Sequence, residues 1–402
     1  MINILRKSHC SGCSACANAC PVGAIVMKPD EHGFLFPAVD VSKCIDCGSC
    51  DNVCHFANPN DRHHCIAAYA MQSADHELLK ASASGGVFAS LAREIIAQGG
   101  VVAGCTLEHT CDGAFEVKHI VINSLNDLHK LQGSKYVQSS MDDTYVKVKE
   151  FLDRGIKVLF SGTPCQVAGL KSFLTNADHP DLLTVDIICH GVPNAQMFYD
   201  YIKTQEKKHK LKITDFRFRD KSDTWGLTGG VSYTDDNGKK HTVSFPARKS
   251  SFYKLFLGGE IFRECCYHCP YASPERPGDL TIGDFWGIEK NYPESISANG
   301  GPFKVEKGVS CMLVNTRKGN EWAEVLTTQM EAVPVDYRIV SKENHQLSRP
   351  SDLGKNRDKV LVLYGKHGYD AVEKWFQRHD LIHRTKRKLF NLLNRNRKRS
   401  NV

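Results

Sequence analysis

Cys10-Ser-Gly-Cys13-Ser-Ala-Cys16-Ala-Asn-Ala-Cys20-Pro21 is answered 34 residues later by Cys44-Ile-Asp-Cys47-Gly-Ser-Cys50-Asp-Asn-Val-Cys54. Both runs read C-x2-C-x2-C-x3-C, so the stretch is an internal repeat with eight matched thiols. In such a run the first three thiolates surround one iron-sulfur cube, and the fourth, three residues on, reaches the other cube. The expected ligand sets are Cys10, Cys13 and Cys16 with Cys54, and Cys44, Cys47 and Cys50 with Cys20. Glycine and small polar spacers suit a chain that must turn tightly and offer backbone N–H groups to sulfides. Zinc would need only four ligands, and a disulfide framework would not need this spacing. Two 4Fe-4S clusters are expected.

Residues 1–58 as a whole resemble a bacterial two-cluster ferredoxin, with 23–27 and 33–39 as short covering strands. One position departs from strict repetition: Pro21 follows the fourth cysteine of the first run and His55 that of the second. Proline there shapes the turn and binds no iron. A chain of 402 residues is too long for that unit alone and implies two or three domains. Clusters need reduced thiols, so seventeen cysteines argue for a cytoplasmic protein and against a secreted, disulfide-bonded one. Residues 1–7 lack the apolar length of a secretory signal, and no run approaches the ~20 apolar residues of a membrane span. The net charge of +7 sits in the tail, where 384–399 holds eight basic residues and no acid. The rest is close to neutral, which excludes a nucleic-acid-binding body. Leu389, Phe390, Leu392 and Leu393 lie among those charges. Residues 383–402 therefore read as a disordered, solvated basic tail, with an amphipathic helix on an anionic membrane surface as the alternative.

The polar stretch 57–64 reads as a linker, and the domain boundary falls there. Beyond it, a strand at 65–70 precedes Ser84-Gly85-Gly86, which runs into a helix whose face is Val87, Leu91 and Ile95. Gly99-Gly100 closes the helix, and a strand at 101–105 follows. The pattern recurs as helix 142–152, strand 158–160, helix 167–174 and strand 183–189. Such alternation predicts an α/β core. The fold expected is thus an α+β ferredoxin-like domain, 1–58, followed by an α/β domain over 65–340. A C-terminal helical extension, 341–382, and the tail complete the chain. Within the core, Asp235-Asp-Asn-Gly238 between two alternating runs predicts a hairpin.

Several motifs here suit chemistry. Ser84-Gly85-Gly86 before a helix can present free N–H groups to a phosphate, or form only a tight turn. Ser161-Gly162-Thr163-Pro164-Cys165 sits at the carboxyl end of a strand, where ligands bind in open α/β sheets. Gln132-Gly-Ser-Lys135-Tyr136 adds a cation and hydroxyls in a loop. Cys266 and Cys269 form a C-x2-C pair, and Cys165 and Cys189 fall at predicted strand ends where loops converge. Four thiolates would make a third 4Fe-4S site; the alternative is that they are buried free cysteines. Cys265 is an alternative ligand to Cys266. Cys65, Cys105, Cys111 and Cys311 read as ordinary core or surface residues.

Ser84-Gly-Gly86, Gly133-Ser-Lys-Tyr136, Ser161-Gly-Thr-Pro-Cys-Gln166, Cys189-His-Gly-Val-Pro193, Phe218-Arg-Asp-Lys221 with Trp225-Gly226, Cys266-x-x-Cys269 and Gly278-Asp-Leu-Thr-Ile-Gly-Asp-Phe-Trp-Gly287 stand in one order. Over 65–340 the chain resembles the family of coenzyme F-420 hydrogenase/dehydrogenase beta subunits, with a ferredoxin domain fused in front. The resemblance implies a flavin-binding reductase domain that holds FAD beside an iron-sulfur cluster. It puts Ser84, Gly85, Gly86, Lys135, Gly162 and Thr163 near the flavin, and Cys165, Cys189, Cys266 and Cys269 around the third cluster. His190, beside the expected ligand Cys189, is the candidate proton donor, with a purely structural histidine as the alternative, and Asp279 and Asp284 either orient ligands or cap turns.

Clusters pass single electrons and a flavin handles one or two, so a chain with both converts between the two regimes. The expected activity is an oxidoreductase that passes electrons between a ferredoxin-like partner and an organic substrate or coenzyme. Its rival is an electron-transfer adaptor that docks on a catalytic partner and has no substrate site of its own.

Overall fold

The computed structural model describes residues 7–110, 113–174, 178–222 and 224–399, without the side chains from 380 onward. The repeat in the sequence is a repeat in the backbone. Gly12 and Asp46 both have positive φ, and so do Ser14 and Gly48, the same positions of the two runs. Each pair of left-handed residues turns the chain into a short helix, Ala15–Asn18 and Ser49–Asn52, that carries the third thiol of its run. Between them Ile25–Pro29 and Leu35–Val39 pair antiparallel, with Ile25 opposite Val39.

An eight-stranded sheet forms the centre of the rest. Its order is Met330–Pro334, Ala67–Ser73, Ser310–Val314, Leu280–Asp284, Leu182–Ile187, Val158–Gly162, Val101–His109 and Phe115–Ile122. The four strands at 280, 182, 158 and 101 run parallel, and the flanking pairs are antiparallel. Both faces of the parallel strands are covered, which is why they read as continuous apolar runs. Val102 and Leu159 pack with Leu91 and Ile95 of helix Val87–Ala97 on one face. On the other, Val101, Val158 and Phe160 pack with Tyr145, Val148 and Leu170.

A three-stranded antiparallel sheet, Leu211–Arg217, Thr228–Asp235 and Lys240–Pro246, stands beside it. Its hairpin turns where the sequence predicts: the Asp235 carboxylate accepts from the backbone N–H groups of Asn237 and Lys239 at 3.0 and 2.9 Å. Phe216 and Phe218 of that segment pack with Phe198 and Phe252 in an aromatic core. Helix Arg357–Arg399, broken at Gly368, closes this core with Val360, Leu361 and Tyr369, and its backbone continues as helix through the tail expected to be disordered. Cys111 and the basic side chains of the tail lie outside the described residues. Among the described residues no helix is long and apolar enough to cross a membrane.

The N-terminal unit is built into this body. Phe34 enters the aromatic core, and Asn194 donates to the His32 carbonyl at 2.6 Å. Helix Pro164–Leu174 presents Gly169 to the first cysteine run: a Cβ there would lie 3.0 Å from Cys13 Sγ and 3.0 Å from Tyr145 Oη. Leucine is a better helix former than glycine, yet overpacking of this kind costs about 1–3 kcal/mol. Gly169→Leu is therefore expected to lower the denaturant midpoint despite its helix propensity. A midpoint at or above that of the wild type would show that the two units do not need this contact.

Candidate functional site

Cys20, Cys44, Cys47 and Cys50 line one cavity of about 350 Å³, walled by Val22, Ile25, Val39 and Ile45. The fourth thiol of the first run thus sits with the first three of the second. Cys47 is the exposed member, and the Ser49 hydroxyl 3.3 Å from its sulfur holds its pKa down. The second group crosses the other way, since Cys16 lies within electrostatic reach of Cys13, Cys10 and Cys54. Burial pushes Cys13 up to about 12, and the neighbouring thiols Cys10 and Cys165 add to it. Cys13 thereby also touches on a third group.

That third group is assembled from distant segments. Cys165 opens helix Pro164–Leu174, and Cys189 follows strand Leu182–Ile187. Cys265 and Cys266 lie in the 3-10 turn Glu264–His268, with Cys269 just after it. All five line a cavity of about 540 Å³ together with Ser11 and Phe56 of the N-terminal unit. Burial raises the Cys189 pKa far above its usual range, and Cys266, Cys165 and Cys269 raise it further. Buried thiols that resist ionisation this way become good ligands once iron draws off their charge. Among the described residues no three His, Cys, Asp or Glu side chains converge on a single metal ion. The thiols of the first and third groups line shared cavities.

Two buried groups set this geometry and were not legible beforehand. Arg276 pairs with Asp186 at 2.5 Å and donates to the carbonyls of Tyr271 and Ile187 at 2.6 and 3.1 Å. It ties the segment after Cys269 to the strand before Cys189. His55, which the sequence shows only as a departure from proline, bridges Ser11 at 3.1 Å and Tyr271 at 2.8 Å. It links the second thiol group to the third.

The parallel strands deliver their carboxyl ends to a cleft of about 1590 Å³, open solvent at its mouth included. Ser84, Gly86, Lys135, Gly162, Thr163 and His190 all line it. Gly85 is instead pressed between strands: a Cβ would lie 2.1 Å from the Met71 carbonyl oxygen and 2.6 Å from the Ser310 nitrogen. Gly86, at φ +92, precedes helix Val87–Ala97 without a side-chain cap, so first-turn N–H groups are left for a ligand. Lys221 holds that turn in place by donating to the carbonyls of Leu79, Ser84 and Lys307. Lys135 is lowered to about 8 by burial, and its ammonium donates to the Gln132 carbonyl at 2.8 Å. The uncapped helix start and the Lys135 ammonium line the same cleft, so an anionic group there would meet both. Burial and His345 lower the pKa of His190, and Asp284 opposes them. Asp284 itself pairs with Arg219 at 2.6 Å, whereas Asp279 is a buried structural acceptor for Thr184.

One hydrogen-bond chain under the cleft floor escaped the sequence reading. His119 Nε2 donates to the Ser161 carbonyl, and its Nδ1 accepts from the Ser139 hydroxyl. Ser139 accepts from Gln166, whose carbonyl oxygen takes the N–H and hydroxyl of Thr163. Thr163 Oγ1 then lies 3.2 Å from Cys165 Sγ. The signal was absent because its members lie on three separate segments. Thr163, Cys165, Cys189 and His190 line both the cleft and the third thiol cavity.

The family that comprises the C terminus of the coenzyme F420 hydrogenase/dehydrogenase beta subunit, as a domain, matches residues 155–336, and the 4Fe-4S dicluster domain matches residues 9–58. Residues 155–336 belong to that hydrogenase/dehydrogenase family. One subunit of the F(420)H(2) dehydrogenase of Methanosarcina mazei is 21% identical over 70% of this chain and 76% of its own length. An uncharacterized ferredoxin of Methanocaldococcus jannaschii is 35% identical over 13% of this chain and 65% of its own. A chain of the F420-reducing nickel-iron hydrogenase complex from Methanosarcina barkeri superposes with a TM-score of 0.44 at 17% identity, over 75% of this chain and 93% of that one. The hydrogenase/dehydrogenase match thus begins just before the strand that carries Ser161 and Gly162, and the dicluster match contains all eight repeat cysteines.

Two outcomes follow from the buried polar groups. Asp186→Ala strands the Arg276 cation in the interior and is expected to cost about 3–5 kcal/mol in denaturant unfolding; a loss below about 1 kcal/mol would contradict its anchoring role. His119 is held neutral, its pKa pushed down to about 4 by burial. The unfolded chain therefore takes up a proton near pH 6.5 that the folded chain refuses until pH is close to 4. Stability is complete above pH 6.5 and declines below it, by up to ~1.4 kcal/mol per pH unit from this group. His119→Gln should flatten the pH profile between 6.5 and 4 by that slope, and an unchanged profile would refute it.

Proposed function

We propose that the chain is an iron-sulfur flavoprotein oxidoreductase that passes electrons between a redox partner and an organic substrate or coenzyme. The observation that carries this reading is continuity. The Cys20/Cys44/Cys47/Cys50 cavity reaches the surface at Cys47, Cys13 packs on the helix that carries Cys165 and lies within electrostatic reach of it, and the third thiol cavity shares Thr163, Cys165, Cys189 and His190 with the cleft. When bound, clusters exchange single electrons and FAD converts between one- and two-electron steps.

The chain's own residues would do the positioning. The eight repeat cysteines hold two 4Fe-4S clusters, and Cys165, Cys189, Cys269 and Cys266 or Cys265 hold a third. Gly86 and Lys135 bind the flavin phosphates, Gly162 and Thr163 line its bed, and Lys221 fixes the turn that receives it. His190, on the wall between cavity and cleft, holds or delivers a proton to the substrate. The relative from an F(420)H(2) dehydrogenase supports a hydride-carrying coenzyme as substrate class and further polypeptides of a complex as partners. Because the clusters need reduced thiols, we place the protein in the cytoplasm.

Iron, acid-labile sulfide and flavin are to be measured on anaerobically purified full chain. About twelve irons and one FAD per chain are expected, from three four-iron clusters and one cleft. About eight irons without flavin would overturn this reading in favour of an adaptor that hands electrons to a catalytic partner.

A further inference from the structure

Arg263 is completely buried, and among the described residues it makes no ion pair with a carboxylate. Its neighbours are unusual for a cation. Nε donates to the Cys10 carbonyl at 2.7 Å, Nη2 lies 3.5 Å from Cys10 Sγ, and Nη1 lies 3.3 Å from the Gln138 amide oxygen. The guanidinium stacks 4.1 Å from the centre of the Phe36 ring. It also acts electrostatically on Cys165, Cys265 and Cys266 across the junction. The two other arginines buried nearby differ, because Arg276 has Asp186 and Arg357 has Glu264.

A cation in a protein interior costs several kcal/mol unless acceptors or an anion offset it. The ring and the amide oxygen soften the cost without removing the charge. The thiols that Arg263 reaches belong to two different groups, Cys10 to the second and Cys165 and Cys266 to the third, while the adjacent Glu264 carboxylate is engaged by Arg357. Gly12, at φ +67, is crowded against the same guanidinium, since a Cβ there would lie 3.0 Å from Arg263 Nη1. The first cysteine run is therefore folded around this side chain.

We propose that Arg263 is a potential-setting residue placed between the second and third thiol groups, where its charge makes one-electron reduction of both easier. The proposal rests on those groups holding clusters. Each electron accepted adds one negative charge inside a cage of thiolates, and net charge and hydrogen bonds to sulfur set cluster potentials. A fixed, desolvated cation in contact with two cages raises both potentials. The Cys20/Cys44/Cys47/Cys50 cage lies outside its contacts and serves as an internal reference.

The test is an EPR-monitored redox titration of the anaerobic full chain as wild type, Arg263→Gln, Arg263→Lys and Gln138→Glu. Removing the charge in Arg263→Gln should shift two midpoints downward and leave the third in place, while Arg263→Lys should retain most of the wild-type values. Gln138→Glu puts a carboxylate against the intact guanidinium and should lower the same two midpoints, so the idea is tested even if Arg263→Gln fails to assemble. Unchanged midpoints in cluster-loaded Gln138→Glu, or equal shifts in all three signals, would overturn the role of Arg263. A wild-type chain with no cluster signals would overturn the proposed function itself, and this inference with it.

Discussion

Cys13 sits against the bare backbone of Gly169, and everything that could pass between the two halves of this protein depends on that close approach. A side chain at Gly169 would push the N-terminal unit away from helix Pro164–Leu174, whose first turn carries Cys165. Separation would break the series of thiol groups on which the proposed electron path rests. In a crowded interior a fraction of an ångström is resisted by every neighbour. The contact is held from several sides, by Phe34 in the aromatic core, Asn194 on the His32 carbonyl and His55 between Ser11 and Tyr271. The ferredoxin-like unit is consequently part of the body and not a tethered module.

Buried cations then fix the cysteines that the sheet alone would leave loose. Loops after parallel strands converge at one edge of the sheet, but they do not by that fact place four sulfurs together. Arg276, paired with Asp186, reaches from the Cys269 segment to the Cys189 segment. Arg263 reaches from the Cys266 turn to Cys10. Planar guanidinium groups suit this work because they donate in several fixed directions at once. The cost of burying such charge is tolerated where it defines a unique arrangement.

The cleft follows from the same topology. Four parallel strands end at its floor, and the Ser84–Gly86 turn and the Gln132–Tyr136 loop form its walls. Lys221 and the chain from His119 to Thr163 make those walls rigid from behind. A cofactor or substrate entering would meet preformed N–H groups and one ammonium, with little left to reorganise.

The repeat of eight cysteines, the crossed sharing of the fourth thiol, the strand-and-helix alternation and the Asp235–Gly238 turn were all legible from the chain, because each is a matter of local spacing and local hydrogen bonding. Family resemblance added Ser84, Gly86, Lys135, Gly162, Thr163 and His190, and these do meet on one cleft. The mixed order of the eight strands, the approach of Cys13 to Gly169 and the positions of Arg263, Arg276, His119 and His55 were not legible. Their partners lie tens to hundreds of residues away, as with Arg263 and Cys10 or Arg276 and Asp186. A buried arginine and an exposed one look alike in a sequence. Spacing determines which thiols gather in the first 58 residues; only packing decides that a third group of thiols forms beside them, because that group is brought together by the burial of distant strands.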